Sequence, residues 1–470
     1  MKRRLPPILM TLVLVCALPI WAAFVTSGDV TNPLVCTAGA SEMNLQGRID
    51  HANAGATITL NSNTEIAATL QIKKDLTLDL NGHVLKMTGI GSVLKVSGRA
   101  TLTITDSSAA KSGTITGGNA GDGDGGGVYV EAYAALEMTG GCITGCRAED
   151  GDGGGVYVEA YAALEMTGGC ITGCRAEDGG GVYIDNNATL KMTGGCITDC
   201  HASYGGGGIY SSGNLYMSGT AKIEKCTSNG GSDDAIWNKE GVIYADGGTV
   251  DGTVNSQGTI TCSNGTNANA ATVFNKTVYL RGSNQTKRCI EAGTYNGTVE
   301  NTGSITGGTF YGAVTIRKGS WGWVSTGSIS GGTFYGSIVN EVGPEQVTGG
   351  TFAVRFDTGD GTKPEPTLVE HNRTVLRPTS DPEKSGHTFI DWYLGDAPYD
   401  FDTPVNAPLT LTAKWEKVPS SGGNYYYHPT TDTKADDTKG SPKTADPGVA
   451  LYAALSLLSL TGLTCTAKKR

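Results

Sequence analysis

The stretch "GDGGGVYVEAYAALEMTGGCITGCRAED" fills residues 123–150, and the same 28 residues follow again, unchanged, as residues 151–178. Two further copies begin at Gly179 and Gly206 and carry substitutions. Each copy holds three short runs in which apolar and polar residues alternate, separated by glycine or small polar residues. Alternation with period two indicates β-strands. Three strands in a unit of this length predict one coil of a parallel β-helix.

The composition favours a thin, turn-rich β protein. The chain has 70 glycines among 470 residues but only 8 phenylalanines and 6 tryptophans, which leaves little material for one large core. Glycine clusters also interrupt any helical stripe, so a helical solenoid is excluded. The formal net charge of -10 provides no basic face for counterion release, and we expect no nucleic-acid partner.

Strand-like patterns continue on both sides of the repeats. From Ala56 onward β-branched and polar residues alternate between turns, and "GGTFYG" recurs downstream at Gly307 and Gly331. We therefore predict an all-β chain with a parallel β-helix over residues 36–352. Each coil of such a fold contacts only its neighbours, so identical coils stack as well as different ones.

Two short motifs resemble those of known β-helices. The run "LTLDLNGHVL" at residues 76–85 resembles early coils of the right-handed, pectate-lyase-like β-helix superfamily. The motif "GGGVY" resembles glycine-rich turns of β-helical surface proteins. These resemblances imply a right-handed helix. Because that superfamily contains polysaccharide lyases and glycosidases, such an enzyme is an alternative function.

A small separate domain is predicted over residues 353–416. The elements "VRFDTGDG", "HTFIDWYL" and "LTLTAKW" resemble the internalin-type B-repeat, also called the Listeria-Bacteroides repeat, which implies a β-grasp-like fold. His387 and Asp391 depart from the residues usual in that family. A domain this small must bury its aromatic side chains to be stable, so we expect Trp392, Phe401 and Trp415 in its core.

The N-terminus is typical of a secreted protein. Residues 1–24 combine a basic start, an apolar run and a small-residue exit at Ala22 and Ala23, the order of a secretory signal peptide. We expect the mature chain outside the cytoplasm.

The C-terminus resembles a cell-wall sorting signal. After a Pro-, Ser- and Thr-rich spacer at residues 417–440, residues 441–470 contain a Pro-x-Thr motif, an uncharged segment at 448–467 and a basic tail. The resemblance implies anchoring by a sortase to the peptidoglycan of a Gram-positive bacterium, with cleavage between Thr444 and Ala445. An unprocessed membrane helix is the alternative. The motif itself consists of Ser441, Pro442, Lys443 and Thr444.

Carboxylates form columns in the repeats but do not predict an active site. Glu137 and Glu165 occupy equivalent positions, as do Glu131, Glu159 and Asp185, and all alternate with apolar residues. Stacking would place neighbours about 4.8 Å apart and facing solvent. Glycoside hydrolysis needs two carboxylates in different environments. The histidines are scattered singly, so we expect no catalytic dyad.

Acidic turns offer candidate calcium ligands. Carboxylate oxygens on flexible glycine-rich turns suit calcium, but the nonapeptide of calcium-binding β-roll proteins is absent. Solvated turns are the alternative. The candidates are Asp124, Asp150, Asp152 and Asp178.

The seven repeat cysteines fall into two columns. Neighbours in a column would lie about 4.8 Å apart, within the span of a disulfide. Buried thiols and disulfides between coils both remain open, whereas zinc would need four ligands turned toward one point. Because the number is odd, at least one thiol stays free or pairs elsewhere. The columns are Cys142, Cys170, Cys196 and Cys146, Cys174, Cys200, Cys226.

A tyrosine column is the candidate binding surface. It alternates with inward valines or isoleucines, which predicts an exposed aromatic ladder that could stack on sugar rings or pack on a protein. The alternative is that these tyrosines only shield the face of the sheet. We expect an adhesin-like surface protein that binds a host glycan or an extracellular protein. A wall-attached polysaccharide-degrading enzyme and a purely structural spacer are the alternatives. The column is Tyr129, Tyr157, Tyr183 and Tyr210.

Overall fold

The structure is a computed structural model. It describes residues 43–229, 234–261, 273–275, 277–280, 289–317, 327–360, 362 and 364–419. The predicted signal peptide, the sorting motif with its cleavage site, the segment 448–467 and nearly all of the spacer lie outside these residues. The described part contains no helix with the length and apolar character that a membrane span requires.

Most described residues belong to coils whose strands stack into long parallel sheets. Two of these sheets have twelve strands each. Sheet A comprises Ala56–Thr59, Leu76–Asp79, Thr101–Thr105, Ala135–Met138, Ala163–Met166, Thr189–Met192, Asn214–Met217, Val242–Ala245, Thr259–Thr261, Cys289–Ile290, Ser304–Ile305 and Ser328–Ile329. Sheet C comprises Leu70–Ile72, Leu94–Val96, Val128–Val130, Val156–Val158, Val182–Ile184, Ile209–Ser211, Asp234–Asn238, Thr253–Ser256, Val278–Leu280, Val299–Asn301, Val314–Ile316 and Ile338–Asn340.

The third face of each coil contributes to sheet B. Its coil strands are Thr64–Ile66, Val84–Met87, Thr114–Thr116, Cys142–Thr144, Cys170–Thr172, Cys196–Thr198, Lys222–Glu224, Thr249–Asp251, Val273–Phe274, Thr294–Tyr295, Thr309–Phe310 and Thr333–Phe334. A short sheet D, which the sequence did not predict, adds Arg147–Ala148, Arg175–Ala176, His201–Ala202 and Thr227–Ser228. The predicted all-β class with a parallel β-helix is confirmed.

The alternating pattern of the repeats directs the apolar residues inward. In sheet A, Leu136 and Met138 pair in register with Leu164 and Met166, and all four are buried, whereas Glu137 between them is exposed. Glycine is required where coils approach closely: a Cβ on Gly155 would overlap the backbone of Gly181 in the next coil. The duplicated coils therefore stack through identical columns.

An α-helix at Leu45–His51 covers the first coil, although the sequence analysis predicted only strands here. Asn44 caps the helix, and Leu45 and Ile49 are buried against the first strands. The Gln46 side chain accepts a hydrogen bond from the backbone N–H of Gln71 at 2.8 Å. The helix thus satisfies backbone groups that a terminal β-coil leaves open. The Leu45 and Ile49 spacing with an Asn cap was the sequence signal for it.

The later coils are filled by stacked aromatic rings. Phe274, Tyr295, Phe310 and Phe334 are fully buried, with successive ring centroids 5.0, 4.8 and 4.7 Å apart. The "GGTF" motifs supply two of these rings. Stacked aromatics replace the branched aliphatic residues of the earlier coils and keep the interior filled.

The strand Thr351–Asp357 belongs to both the β-helix and the C-terminal domain. Its first residues pair in parallel with Thr333–Phe334, and its last residues pair in parallel with Leu409–Lys417. Thr367–Glu370 pairs with it in antiparallel orientation. The boundary predicted between residues 352 and 353 falls inside this one strand, so the two regions are joined without a linker.

Two more strands complete the C-terminal domain. His387–Leu394 pairs antiparallel with Leu409–Lys417 and with Ala397–Pro398, and a 3-10 helix at Pro344–Gln346 precedes the domain. Trp392 is only 2% exposed, and Phe401 and Trp415 are partly buried against the same core. The aromatic residues predicted to form the core therefore pack there.

Candidate functional site

The predicted tyrosine column forms a regular ladder of stacked rings. The centroids of Tyr129, Tyr157, Tyr183 and Tyr210 are successively 5.2, 5.1 and 5.0 Å apart. Trp237 continues the ladder at 6.5 Å. Tyr129, Tyr157 and Tyr183 are half-buried and Tyr210 is buried, only 9% exposed, so the expected exposure of this column is corrected.

The stacking leaves no ring face within the ladder for a ligand. Adjacent planes differ by 18° or less, so each ring covers the face of the next. The ammonium of Lys95 lies 4.9 Å from the centroid of the Tyr129 ring and covers the N-terminal end of the ladder. Stacking of sugar rings on this column, which the sequence analysis considered, is therefore blocked. The ladder presents ring edges and hydroxyl groups.

Carboxylates surround the hydroxyl groups. The Tyr129 hydroxyl donates a hydrogen bond to Glu159 at 3.2 Å, and Lys95 forms a 2.7 Å salt bridge with Glu131. Burial raises the pKa of Tyr210 to about 12, and the negative charges of Asp178 and Asp152 add to this rise. Burial followed by Glu159 raises the pKa of Tyr129 in the same direction. These phenols therefore remain protonated donors at neutral pH.

A ladder of aspartates runs along the glycine-rich turns. The Asp124 carboxylate accepts a hydrogen bond from the Asp152 backbone N–H at 2.9 Å, and Asp178 accepts one from Gly205 at 2.8 Å. Burial, with Asp178 and Asp124 as like-charged neighbours, raises the pKa of Asp152 to about 7. Asp150 is exposed at the edge of its turn.

The aspartates proposed as calcium ligands are not gathered around one point in the described residues. Among the described residues no three or more His, Cys, Asp or Glu side chains are arranged to hold a metal ion. The carboxylates of the ladder instead bond to backbone N–H groups of the next coil. Calcium binding by this chain stays a prediction.

A second pair of tyrosines, which the sequence analysis missed, is the more exposed one. Tyr133 and Tyr161 are each 55% exposed and stack with centroids 5.3 Å apart. The Arg99 guanidinium lies 5.2 Å from the centroid of the Tyr133 ring. The signal was the interruption of alternation in "EAYAA", which places an aromatic residue in a turn rather than in a strand.

The backbone of this pair is strained. Tyr133 has a φ of 66° and Tyr161 a φ of 65°, in the left-handed region that bulky residues seldom occupy. The equivalent residue of the next coil, Asn187, has a φ of 59° and belongs to a type that tolerates this conformation. Holding tyrosine there costs on the order of 1 kcal/mol. Strain of this kind is common at functional sites.

The outer cysteine column contains a disulfide. Cys142 and Cys170 are bonded, with Cα atoms 4.6 Å apart, and Cys196 in the next coil is a free, half-buried thiol. All three point outward because each precedes a buried isoleucine in its strand.

The inner cysteine column consists of four free, buried thiols. Each donates a weak hydrogen bond to a carbonyl of its own turn, for example from Cys200 to Thr198 at 3.3 Å. A hydrogen bond with Cys174, together with burial, raises the pKa of Cys200 well above its usual range. The column behaves as a small apolar filler of the core. It comprises Cys146, Cys174, Cys200 and Cys226.

Both glutamates of the outward column Glu137 and Glu165 accept hydrogen bonds from neighbouring coils. Glu165 accepts a hydrogen bond from Lys191 at 2.8 Å, and Glu137 accepts one from Thr103 at 2.9 Å. The two glutamates are thus tied to different neighbours on a solvated face. This arrangement favours structural ion pairing over acid and base chemistry.

The C-terminal domain can be compared with known proteins. Residues 352–414 match the Listeria-Bacteroides repeat domain. No curated protein and no solved structure matches the chain. This repeat family is typical of extracellular or surface proteins.

Asp391, which departs from the residue usual in that family, has a local role in this domain. Its carboxylate accepts hydrogen bonds from the Arg377 side chain at 2.7 Å and from the Trp392 backbone N–H at 2.8 Å. It therefore fixes the strand at a bulge beside the buried tryptophan.

Proposed function

We propose that this protein is an adhesin-like protein of the bacterial cell surface, which presents the β-helix for binding a glycan or an extracellular protein. The observation that carries the proposal is the exposed, strained pair of Tyr133 and Tyr161 on the duplicated coils. Asparagine occupies the equivalent position in the next coil, so the turn itself does not require tyrosine there. The duplication repeats the same surface, so a repetitive ligand can contact both copies.

The C-terminal region supports the proposed location. The Listeria-Bacteroides repeat domain follows the last coil directly, and its family is typical of surface proteins. We propose that the sorting motif beyond it is cleaved by a sortase and that Thr444 is joined to peptidoglycan. Along the chain, the coils precede the repeat domain and the proposed anchor follows it.

The structure also changes how binding is proposed to occur. The largely buried ladder of Tyr129, Tyr157, Tyr183 and Tyr210 serves mainly as packing, with hydroxyl groups along its edge. Tyr133 and Tyr161 stack on each other like the rings of the ladder, but each is 55% exposed, and Arg99 adds a positive charge over the Tyr133 ring. Aromatic and arginine side chains together are frequent anchors of binding surfaces.

A binding survey tests this proposal. Full-length protein is applied to a glycan array and to surfaces of collagen, fibronectin and laminin. Saturable binding to one of these supports the adhesin-like role. Release of unsaturated products or new reducing ends from an acidic polysaccharide would overturn it in favour of the polysaccharide-degrading alternative, and absence of binding on every surface would favour a structural spacer.

A further inference from the structure

The outer cysteine column has three members, Cys142, Cys170 and Cys196, which can form only one disulfide at a time. Cys142 pairs in register with Cys170, and Cys170 pairs in register with Cys196. The strand that carries Cys142 and the strand that carries Cys196 each lie about 4.8 Å from the strand of Cys170, which is the regular spacing of a parallel sheet. That spacing lies within the Cα range of disulfides, about 4.4–6.8 Å. Both pairings are therefore compatible with one backbone.

We propose that this column is a thiol–disulfide exchange site, in which the disulfide moves between Cys142–Cys170 and Cys170–Cys196. The Cys196 thiolate attacks the Cys170 sulfur, a new S–S bond forms between them, and Cys142 leaves as a thiolate that takes up a proton. The number of disulfides and thiols is unchanged, so no oxidant or reductant is consumed.

Stacking orients the three sulfurs for this reaction. Because the column runs along the stack, Cys196 lies on the side of Cys170 opposite to Cys142. The attacking and leaving sulfurs therefore lie on opposite sides of the central one, as displacement at sulfur requires. All three side chains are half-buried on the outer face, so water can solvate both the attacking and the departing thiolate.

The two ends of the column have different neighbours. Cys142 pairs with Thr114, whereas Cys196 pairs with Lys222. Burial and then Glu224 raise the pKa of the Cys196 thiol, and Lys222 opposes this rise. One thiol is therefore free in either state. It is Cys196, which pairs with Lys222, or Cys142, which pairs with Thr114. The exchange becomes faster as the pH rises and more thiolate forms.

Disulfide mapping of the full-length protein tests the proposal. The protein is incubated at pH 8.5, quenched with acid, alkylated with N-ethylmaleimide while denatured, and digested with trypsin without reduction. Trypsin separates the identical copies because Cys142 lies in peptide 112–147, Cys170 in 148–175 and Cys196 in 192–222. We expect both cross-linked pairs, in a ratio that becomes constant with time and stays within about tenfold of unity, since the two pairings share one backbone geometry.

Three variants serve as matched controls. Cys142→Ser should contain only the Cys170–Cys196 pair, and Cys196→Ser only Cys142–Cys170. Cys170→Ser should contain neither, because its remaining cysteines lie two coils apart, about 9–10 Å, beyond the reach of a disulfide. Exclusive recovery of Cys142–Cys170 from the unsubstituted protein, after long incubation, would overturn the proposal even if the variants pair as expected. Failure of Cys142→Ser to form the second pair, with β circular dichroism retained, would overturn it as well.

Discussion

Phe352, the first residue of the Listeria-Bacteroides repeat match, packs on Phe334 of the last coil with ring centroids 5.7 Å apart. Both side chains are fully buried. The aromatic column of the β-helix therefore continues into the repeat domain, and one strand serves both. The two regions share a core at this point rather than meeting across a surface.

Substitution of Phe352 with alanine should destabilise both regions. Loss of a buried phenylalanine costs about 3–5 kcal/mol in the free energy of unfolding. Urea unfolding followed by tryptophan fluorescence measures it, since Trp237 lies in the coils and Trp392 in the repeat domain. The matched control is Tyr311→Ala, which removes an aromatic ring that is 53% exposed and should cost far less. Equal effects of the two substitutions would contradict a shared core.

Deletion of residues 151–178 should leave the protein folded. The strand Val128–Val130 would then pair directly with Val182–Ile184, because the deleted coil presents the same residues to both neighbours. Cys142 would come to lie beside Cys196, so a new disulfide between them is expected. Circular dichroism and disulfide mapping check both points. The control deletion of residues 151–164 removes half a coil and should unfold the stack; survival of that variant would argue against register-dependent stacking.

Deprotonation of Asp152 should lower the free energy of unfolding as the pH rises from 5 to 8. Its pKa in the folded protein is raised to about 7, so the folded state holds the proton more tightly than the unfolded chain. The resulting stabilisation is complete below the unfolded pKa of 3.8 and is lost as the pH rises through 7. Because the side chain is half-buried, screening leaves an effect of about 1 kcal/mol.

The control substitutions separate this residue from its neighbours. Asp152→Asn should remove most of the difference between urea midpoints at pH 5 and pH 8, whereas Asp150→Asn, at an exposed position, should leave it. Asp79 and Asp106 have lowered pKa values, because hydrogen bonds outweigh the opposing effect of burial, and their contribution is lost only at more acidic pH. A free energy of unfolding that rises from pH 5 to pH 8 would contradict the raised pKa of Asp152.

Thr444 should be the C-terminal residue of the wall-bound protein. The proposal rests on the Pro-x-Thr motif with the uncharged segment and basic tail behind it. Mass spectrometry of muramidase digests of cell walls should find Thr444 joined to a wall peptide. Wall-bound peptides that run from Ala445 into the tail would show that the chain is not processed there.

The regular parts of the fold were predictable because their signal is repeated. The alternation around Leu136 and Tyr129 fixes which side chains point inward, and four copies of one unit fix the stacking. The helix at Leu45–His51 was not predicted, since it occurs once and is shorter than the windows in which helical periodicity is clear.

The site was predicted less well, for a physical reason. Alternation places Tyr129 on the outer face, but it cannot show that neighbouring rings in adjacent coils will cover one another. Nor does it address turns, where the position of Tyr133 depends on an unusual φ value. Which cysteines of an equally spaced column are bonded is likewise open from sequence, because the spacing permits both pairs.

The central claim, that the exposed tyrosine pair is kept for binding, is tested most directly by the double substitution Tyr133→Asn and Tyr161→Asn. Asparagine already occupies the equivalent position at residue 187. The variant should be about as stable as the original, because relief of the backbone strain, about 1 kcal/mol, offsets the loss of the ring stack. The measurement pairs its affinity for the surface that the full-length protein binds with its urea midpoint. We predict at least a tenfold loss of affinity with a midpoint close to that of the original. Unchanged affinity in a stable variant would contradict the claim.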